Sequence, residues 1–223
     1  VSNFILRKAK LKGGEFLSRL LRVCVMLKKR LIGVITVRNE LAVQSIGYKK
    51  YLPLGSPQII AENLDRWGVD EIFVQEIDRS LVDLGPNISL IKSLGSLSTP
   101  LIYGGGVRNA EQARLTIEAG VERICVDYLL HSDIGKIEEI SREIGAQAMI
   151  VALPLRLHKK KLFWRNHVLG TESELDASLS KVVQPKNVSE ILVIDWVNEG
   201  FRERFEPKLI ELMPKFDLPL IAF

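Results

Sequence analysis

The sequence predicts an α/β fold: a (β/α)8 TIM barrel assembled from two similar half-barrels. Three observations carry that reading. Apolar runs of strand length alternate with segments of helical period. The connections are mostly short, which favours parallel strands joined by right-handed crossovers. One pattern also occurs twice: Val69-Asp70-Glu71-Ile72-Phe73-Val74 with Thr99-Pro100-Leu101-Ile102, then Val188-Ser189-Glu190-Ile191-Leu192-Val193 with Leu218-Pro219-Leu220-Ile221. Glu71 and Glu190 are 119 residues apart, as are Pro100 and Pro219. A doubly wound open sheet shares the strand signature, but the two-half repeat favours the barrel.

Strands are expected over 31–37, 70–76, 99–104, 122–127, 146–153, 189–195 and 217–222, where apolar and β-branched residues cluster. Helices are expected over 57–68, 87–96, 109–119, 133–144, 173–183 and 205–213. Ser56-Pro57 reads as a cap followed by a first-turn proline, and Asn109 with Gln112 three residues later reads as a second cap. Ser132 ahead of Asp133 reads as a third. Gly68, Gly120 and Gly145 stand where helices end. Seven strands are visible and the repeat implies eight, so the barrel is expected to be cut short after its seventh strand. Two long connections follow strand ends. One spans 38–56 and contains Tyr48-Lys49-Lys50-Tyr51; the other spans 154–172, with Phe163-Trp164 read as loop aromatics or a small hairpin.

Charge is uneven. Residues 1–30 hold nine of the 31 basic residues and one of the 27 acids, so the remainder is net acidic despite the overall +4. A nucleic-acid reading rests on that leader alone. Residues 1–25 read as a basic leader, either an upstream extension, an amphipathic arm or a targeting segment. Met26-Leu27-Lys28-Lys29-Arg30 reads as a natural start for the domain 26–223. No apolar run is long enough to span a membrane. The two cysteines, Cys24 and Cys125, fit a reducing, cytoplasmic setting better than a disulfide framework. The three histidines, His131, His158 and His167, lack ligand spacing, so no metal site and no cofactor is expected.

Gly104-Gly105-Gly106 lies between a strand and a helix, where bare backbone and a helix start suit a phosphate. Asp127-Tyr128 ends the next strand and is the neighbouring half of such a cradle, although the Asp127 side chain opposes an anion. Glu76 and Asp195 end the second and sixth strands and are the available acid–base candidates. Asp78 and Glu199 lie close by in sequence. Arg30, Glu71, Arg123 and Glu190 stand at the starts of the first, second, fourth and sixth strands. Strand starts gather at the bottom of a barrel, where two cations and two anions form either a plug or a gate.

From about Met26 to Phe223 the chain resembles the cyclase subunit of imidazole glycerol phosphate synthase, the HisF family. The resemblance is carried by Lys29-Arg30-Leu31-Ile32, Gly104-Gly105-Gly106-Val107-Arg108 with Ala113-Arg114, Ala119-Gly120-Val121-Glu122-Arg123, and Gln147-Ala148 through Val151-Ala152. It implies a two-phosphate substrate and a glutaminase partner that delivers ammonia at the barrel's bottom. It also implies an ammonia gate made by Arg30, Glu71, Arg123 and Glu190, where the family has Lys in place of Arg123, and a partner interface at Glu122.

The top departs from the family. Its two catalytic aspartates correspond to Thr36 and, in the gapless local match, Pro154. Its mouth lysine is Gln44, and its second-strand aspartate is Glu76. Losing an acid–base group typically costs on the order of 10²–10⁴-fold. The second phosphate loop would follow Phe223. In keeping the gate while altering the mouth the chain resembles divergent relatives in this superfamily, and that resemblance implies a paralogue that adds ammonia to a phosphorylated or nucleotide-linked sugar in lipopolysaccharide or other surface-sugar biosynthesis. A true histidine-pathway cyclase and a non-catalytic, glutaminase-activating subunit are the alternatives.

Overall fold

β1 (Ile32–Arg38) opens the sheet with the branched run Ile-Gly-Val-Ile-Thr-Val. In this computed structural model the described residues are 29–175 and 177–223, and two units separate at Arg30: Val1–Arg30 and Leu31–Phe223. The expectations for Cys24 and for residues 1–28 lie outside the described residues.

Chain order then runs β2 (Leu41–Ile46), β3 (Lys50–Gly55), α1 (Pro57–Trp67), β4 (Glu71–Glu76), α2 (Ile88–Ser93), β5 (Leu101–Gly104), α3 (Ala110–Glu118) and β6 (Arg123–Val126). It continues with α4 (Tyr128–Ser132), α5 (Gly135–Ile144), β7 (Met149–His158), β8 (Lys161–Asn166), β9 (Thr171–Glu174), β10 (Glu190–Asp195), α6 (Lys208–Glu211) and β11 (Leu220–Ala222). Seven strands are parallel, in the order β11-β10-β7-β6-β5-β4-β1. They are the seven expected from sequence, and their curled half-barrel sheet is that of a (β/α)8 fold.

Alternation divides the strand side chains between two layers. Ile72, Val74, Leu101, Ile124, Val126, Val151, Leu153, Ile191 and Val193 pack toward the helices, with Ala61, Ala113, Ile137 and Ile140. Ile137 and Ile140 are fully buried, so each contributes about 1.5–3 kcal/mol of apolar burial. The opposite positions, Phe73, Ile102, Cys125, Ile150, Ala152, Leu192, Ile194 and Trp196, form a second cluster inside the curl.

α1 starts at Pro57 and stops at Gly68, which is left-handed at φ 74°. Asn109 caps α3 by accepting from Gln112 N at 2.9 Å. Ser132 instead ends α4, its hydroxyl donating to the Tyr128 carbonyl.

Both long connections are antiparallel hairpins rather than open loops. β1 turns into β2 through Asn39-Glu40, and β7 into β8 through Lys159-Lys160. The φ angles are 49° and 64° in each pair. Two-residue loops with both angles positive match the twist of the flanking strands. Lys160→Gly is expected to stabilise the fold by about 0.5–1 kcal/mol, because glycine adopts that angle without strain. A rise in the urea midpoint checks it.

The helix expected over 173–183 does not form. Thr171–Glu174 adds a strand to β8, and only a single tight 3-10 turn follows at Ala177–Lys181. Cross-strand charge explains the choice: Arg156 grips Glu172, and Lys161 Nζ lies 2.8 Å from Glu174.

Candidate functional site

The inward face can be followed from strand starts to strand ends. Glu71, Arg123 and Glu190 share the inward register of Phe73, Cys125 and Leu192. They converge: Arg123 bonds Glu71 through one guanidinium nitrogen and Glu190 through the other, at 2.5 Å. All three side chains are about one-tenth exposed. Arg30 is exposed and ends the first unit. Glu122 is exposed, and its Oε2 accepts from Leu101 N at 2.5 Å, fastening the start of β5.

Above the charges lies the apolar storey of Phe73, Ile102, Cys125, Ile150 and Leu192. Burial pushes the Cys125 thiol well above its usual range, so it is a packed apolar group rather than a nucleophile.

At the strand ends this interior opens into a cavity of about 220 Å³. Arg38, Tyr48, Gln75, Gly104, Gly105, Asp127, Pro154, Arg165, His167 and Trp196 are among its walls. The β2–β3 turn brings Tyr48, whose hydroxyl donates to Gln75 Oε1 at 3.3 Å. The β8 hairpin brings Arg165, stacked 4.4 Å over Trp196, and Arg38 stacks 4.2 Å over Tyr51. Three basic side chains, Arg38, Arg165 and His167, thus face one small volume.

Gly104 and Gly105 line this cavity, while Gly106 N donates to Ser80 Oγ at 3.3 Å. A methyl group on Gly106 would meet the Gly85 carbonyl at 2.4 Å, so glycine there permits a close backbone approach. Tyr128 lies beneath the Arg108 guanidinium at 4.8 Å. Of the positions matching the family aspartates, Pro154 lines the cavity, and Thr36 is buried on β1. Gln44 is exposed on β2.

Glu76 and Asp195 are both buried and both committed to bracing. Glu76 accepts from the Tyr103 hydroxyl at 2.9 Å and from Asn87 Nδ2 at 3.1 Å. Tyr103 belongs to the layer shared with the helices. Asp195 accepts from Asn198 Nδ2 and from Glu206 N, both at 2.9 Å, and so holds the loop after β10.

Asp127 is the carboxylate that continues the inward register of β6, and it pairs with His167, a residue for which spacing offered no role. His167 Nδ1 donates to Asp127 Oδ2 at 3.0 Å. Burial alone would lower the imidazole, but the charge and hydrogen bond of Asp127 hold it above its ordinary value. Burial alone would likewise raise Asp127, yet His167 and the Tyr128 N–H hold it below the usual carboxylate range. His131, under Trp164 at 3.7 Å between ring centres, is lowered by burial.

The pair predicts a stability plateau. Asp127 contributes fully above about pH 4, the unfolded carboxylate value, and its share is lost as pH falls through the lowered folded value. His167 contributes fully below about pH 6.5, and its share is lost as pH rises through the raised folded value. Urea midpoints measured across pH are expected to lose both shoulders in Asp127→Asn.

Among the described residues no group of three or more His, Cys, Asp or Glu side chains could hold a metal ion. Nor is any described helix long and apolar enough to cross a membrane.

Residues 30–222 match the family model described as histidine biosynthesis protein. A Vibrio vulnificus protein named "Putative imidazole glycerol phosphate synthase subunit hisF2" is 28% identical over 200 residues, covering 88% of this chain and 74% of that protein. Imidazole glycerol phosphate synthase subunit HisF of Dictyoglomus thermophilum is 26% identical over 202 residues, covering 88% and 80%. The subunit HisF of Campylobacter concisus is 24% identical over 197 residues, covering 87% and 78%.

Proposed function

We propose, from the premise that this chain belongs to the histidine biosynthesis protein family as a divergent HisF-type member, that it is an ammonia-using synthase subunit acting on a phosphorylated or nucleotide-linked sugar. The observation that carries the reading is the vertical order of one interior: charges at the strand starts, apolar side chains above them, and at the strand ends an aromatic cavity that holds Arg38, Arg165 and His167 together with Glu76, Asp78 and Asp127.

Glu71, Arg123 and Glu190 serve as the gate through which a glutaminase subunit passes ammonia. Glu122 lies on the docking face. Neutral ammonia crosses the storey around Phe73 and Leu192, whereas ammonium would pay the cost of an unpaired charge in apolar surroundings. Arg38 and Arg165 meet the phosphate, and backbone at Gly104 and Gly105 lets it approach closely. Gly106 and Tyr128 follow the cavity-lining Gly105 and Asp127 directly in sequence.

Bound there, the sugar presents an activated carbon to the incoming nitrogen. Orientation and exclusion of competing water supply the rate, since a positioned pair reacts as a single molecule. The reading suits surface-sugar biosynthesis, because Thr36 and Pro154 supply no carboxylate for imidazole ring closure. Glu76 and Asp195 act by positioning the loops that border the cavity.

The test supplies the full chain with ammonium chloride and, separately, the histidine-pathway ribonucleotide or a set of uridine-diphosphate-linked sugars. Mass spectrometry should find nitrogen added to a sugar and negligible ring closure. Ring closure at an ordinary enzymatic rate, about 1 s⁻¹ or more, would refute the sugar reading in favour of a histidine-pathway cyclase.

A further inference from the structure

We infer that His167, oriented by Asp127, is the proton carrier of the cavity at the strand ends. The inference deepens the proposed ammonia transfer and rests on it for the identity of the nitrogen nucleophile. Its starting point is geometric. Asp127 and His167 come from different strand ends, both line the cavity, and they are joined at 3.0 Å through Nδ1. Their side chains are 27% and 29% exposed, open enough to meet a ligand and closed enough to be shielded.

Because Nδ1 is committed to the carboxylate, Nε2 is the nitrogen offered to a ligand. This is the division of labour in which a carboxylate fixes the tautomer and steadies the imidazolium while the other ring nitrogen moves the proton. Of the other carboxylates at these strand ends, Glu76 is occupied by Tyr103 and Asn87 and Asp195 by Asn198 and Glu206, while Asp78, also in the cavity wall, accepts from Asn39 N at 2.7 Å. Thr36 and Pro154 offer no group that titrates near neutrality.

The step balances without a further reagent. The ammonia lone pair forms the carbon–nitrogen bond, and the carbon–oxygen bond of the activated sugar carbon breaks with its pair on the departing oxygen. His167 Nε2 takes one proton from the nitrogen and returns it to that oxygen. Asp127 is a positioning residue. The charged and titratable groups around His167 are Asp127 from the end of β6, Arg165 from β8 and His131 from α4. Tyr48, from the β2–β3 turn, faces Asp127. Asp127 outweighs burial and Arg165, which places His167 above its ordinary value in the free protein.

Two measurements on the full chain test this. The first treats it with diethyl pyrocarbonate and maps the modified peptides. His167 should react with a pH midpoint above about 6.5, and the midpoint should fall in Asp127→Asn. Exposed His158 is the internal control. Modification of His158 with His167 left intact overturns the inference whatever the substrate.

The second follows ammonium-dependent amination of a uridine-diphosphate-linked sugar. His167→Gln should lose on the order of 10²–10⁴-fold in kcat and the acidic limb of the pH profile, with KM little changed. If the wild-type chain turns over and His167→Gln stays within a few-fold with the same pH profile, the inference fails while the ammonia reading stands. If His167 modifies as expected but no sugar is aminated, the ammonia reading fails and the reactive pair is upheld.

Discussion

Replacing Arg123 by methionine is expected to destabilise the fold by about 3–5 kcal/mol, because two buried carboxylates lose the cation between them. Glu71 and Glu190 stand on β4 and β10 and meet at the one guanidinium. Urea denaturation at neutral pH reads the loss. The triple variant Arg123→Met, Glu71→Gln, Glu190→Gln should recover most of the stability, since matched neutral groups carry no unpaired charge. On the proposed gate reading, it should still lose the coupling of glutamine hydrolysis to product formation. Recovery of both stability and coupling would make the cluster a plug alone.

Gly200→Ala is expected to cost about 2–5 kcal/mol, from left-handed backbone and from overpacking together. Gly200 has φ 77°, and a methyl group there would stand 2.1 Å from the Ser45 carbonyl oxygen, a backbone atom that cannot swing aside. The contact is one of several that dock the loop after β10 onto the β2–β3 hairpin. Glu199 accepts from Ser45 Oγ at 3.0 Å and Tyr48 N at 3.1 Å, and Gly47 N donates to the Glu199 carbonyl at 2.9 Å. Losing this dock frees Tyr48 from the cavity wall. Thermal melting should show the drop, and ligand affinity at the cavity should fall more than the melting shift alone accounts for.

The parallel strands were legible because a strand covered on both faces reads as a nearly continuous apolar run, and each such run is terminated by a turn residue or helix cap. The segment after 170 was not legible, since the salt bridges that hold Thr171–Glu174 as a strand come from Arg156 and Lys161 on other strands. The same limit hid His167, whose meaning depends on Asp127 at the end of β6. Period-two reasoning does carry one lesson about the site. If Glu71 faces inward then Gln75 does too, and Glu76 turns to the other layer; Glu190 and Asp195 repeat the relation 119 residues on. Glu76 and Asp195 are thus structural braces, and the carboxylate that continues the inward register of β6 is Asp127.

Asn39-Glu40 and Lys159-Lys160 lie 120 residues apart and bend their chains through the same pair of angles. Each half of the molecule therefore raises its rim on an identical hinge. A chimera that exchanges the two hairpins at those corners would preserve strand twist at both junctions while moving Tyr48 and His167 to opposite sides of the opening. Such interchangeability gives a duplicated ancestor a way to acquire asymmetry, by altering what the rims carry while leaving the joints alone.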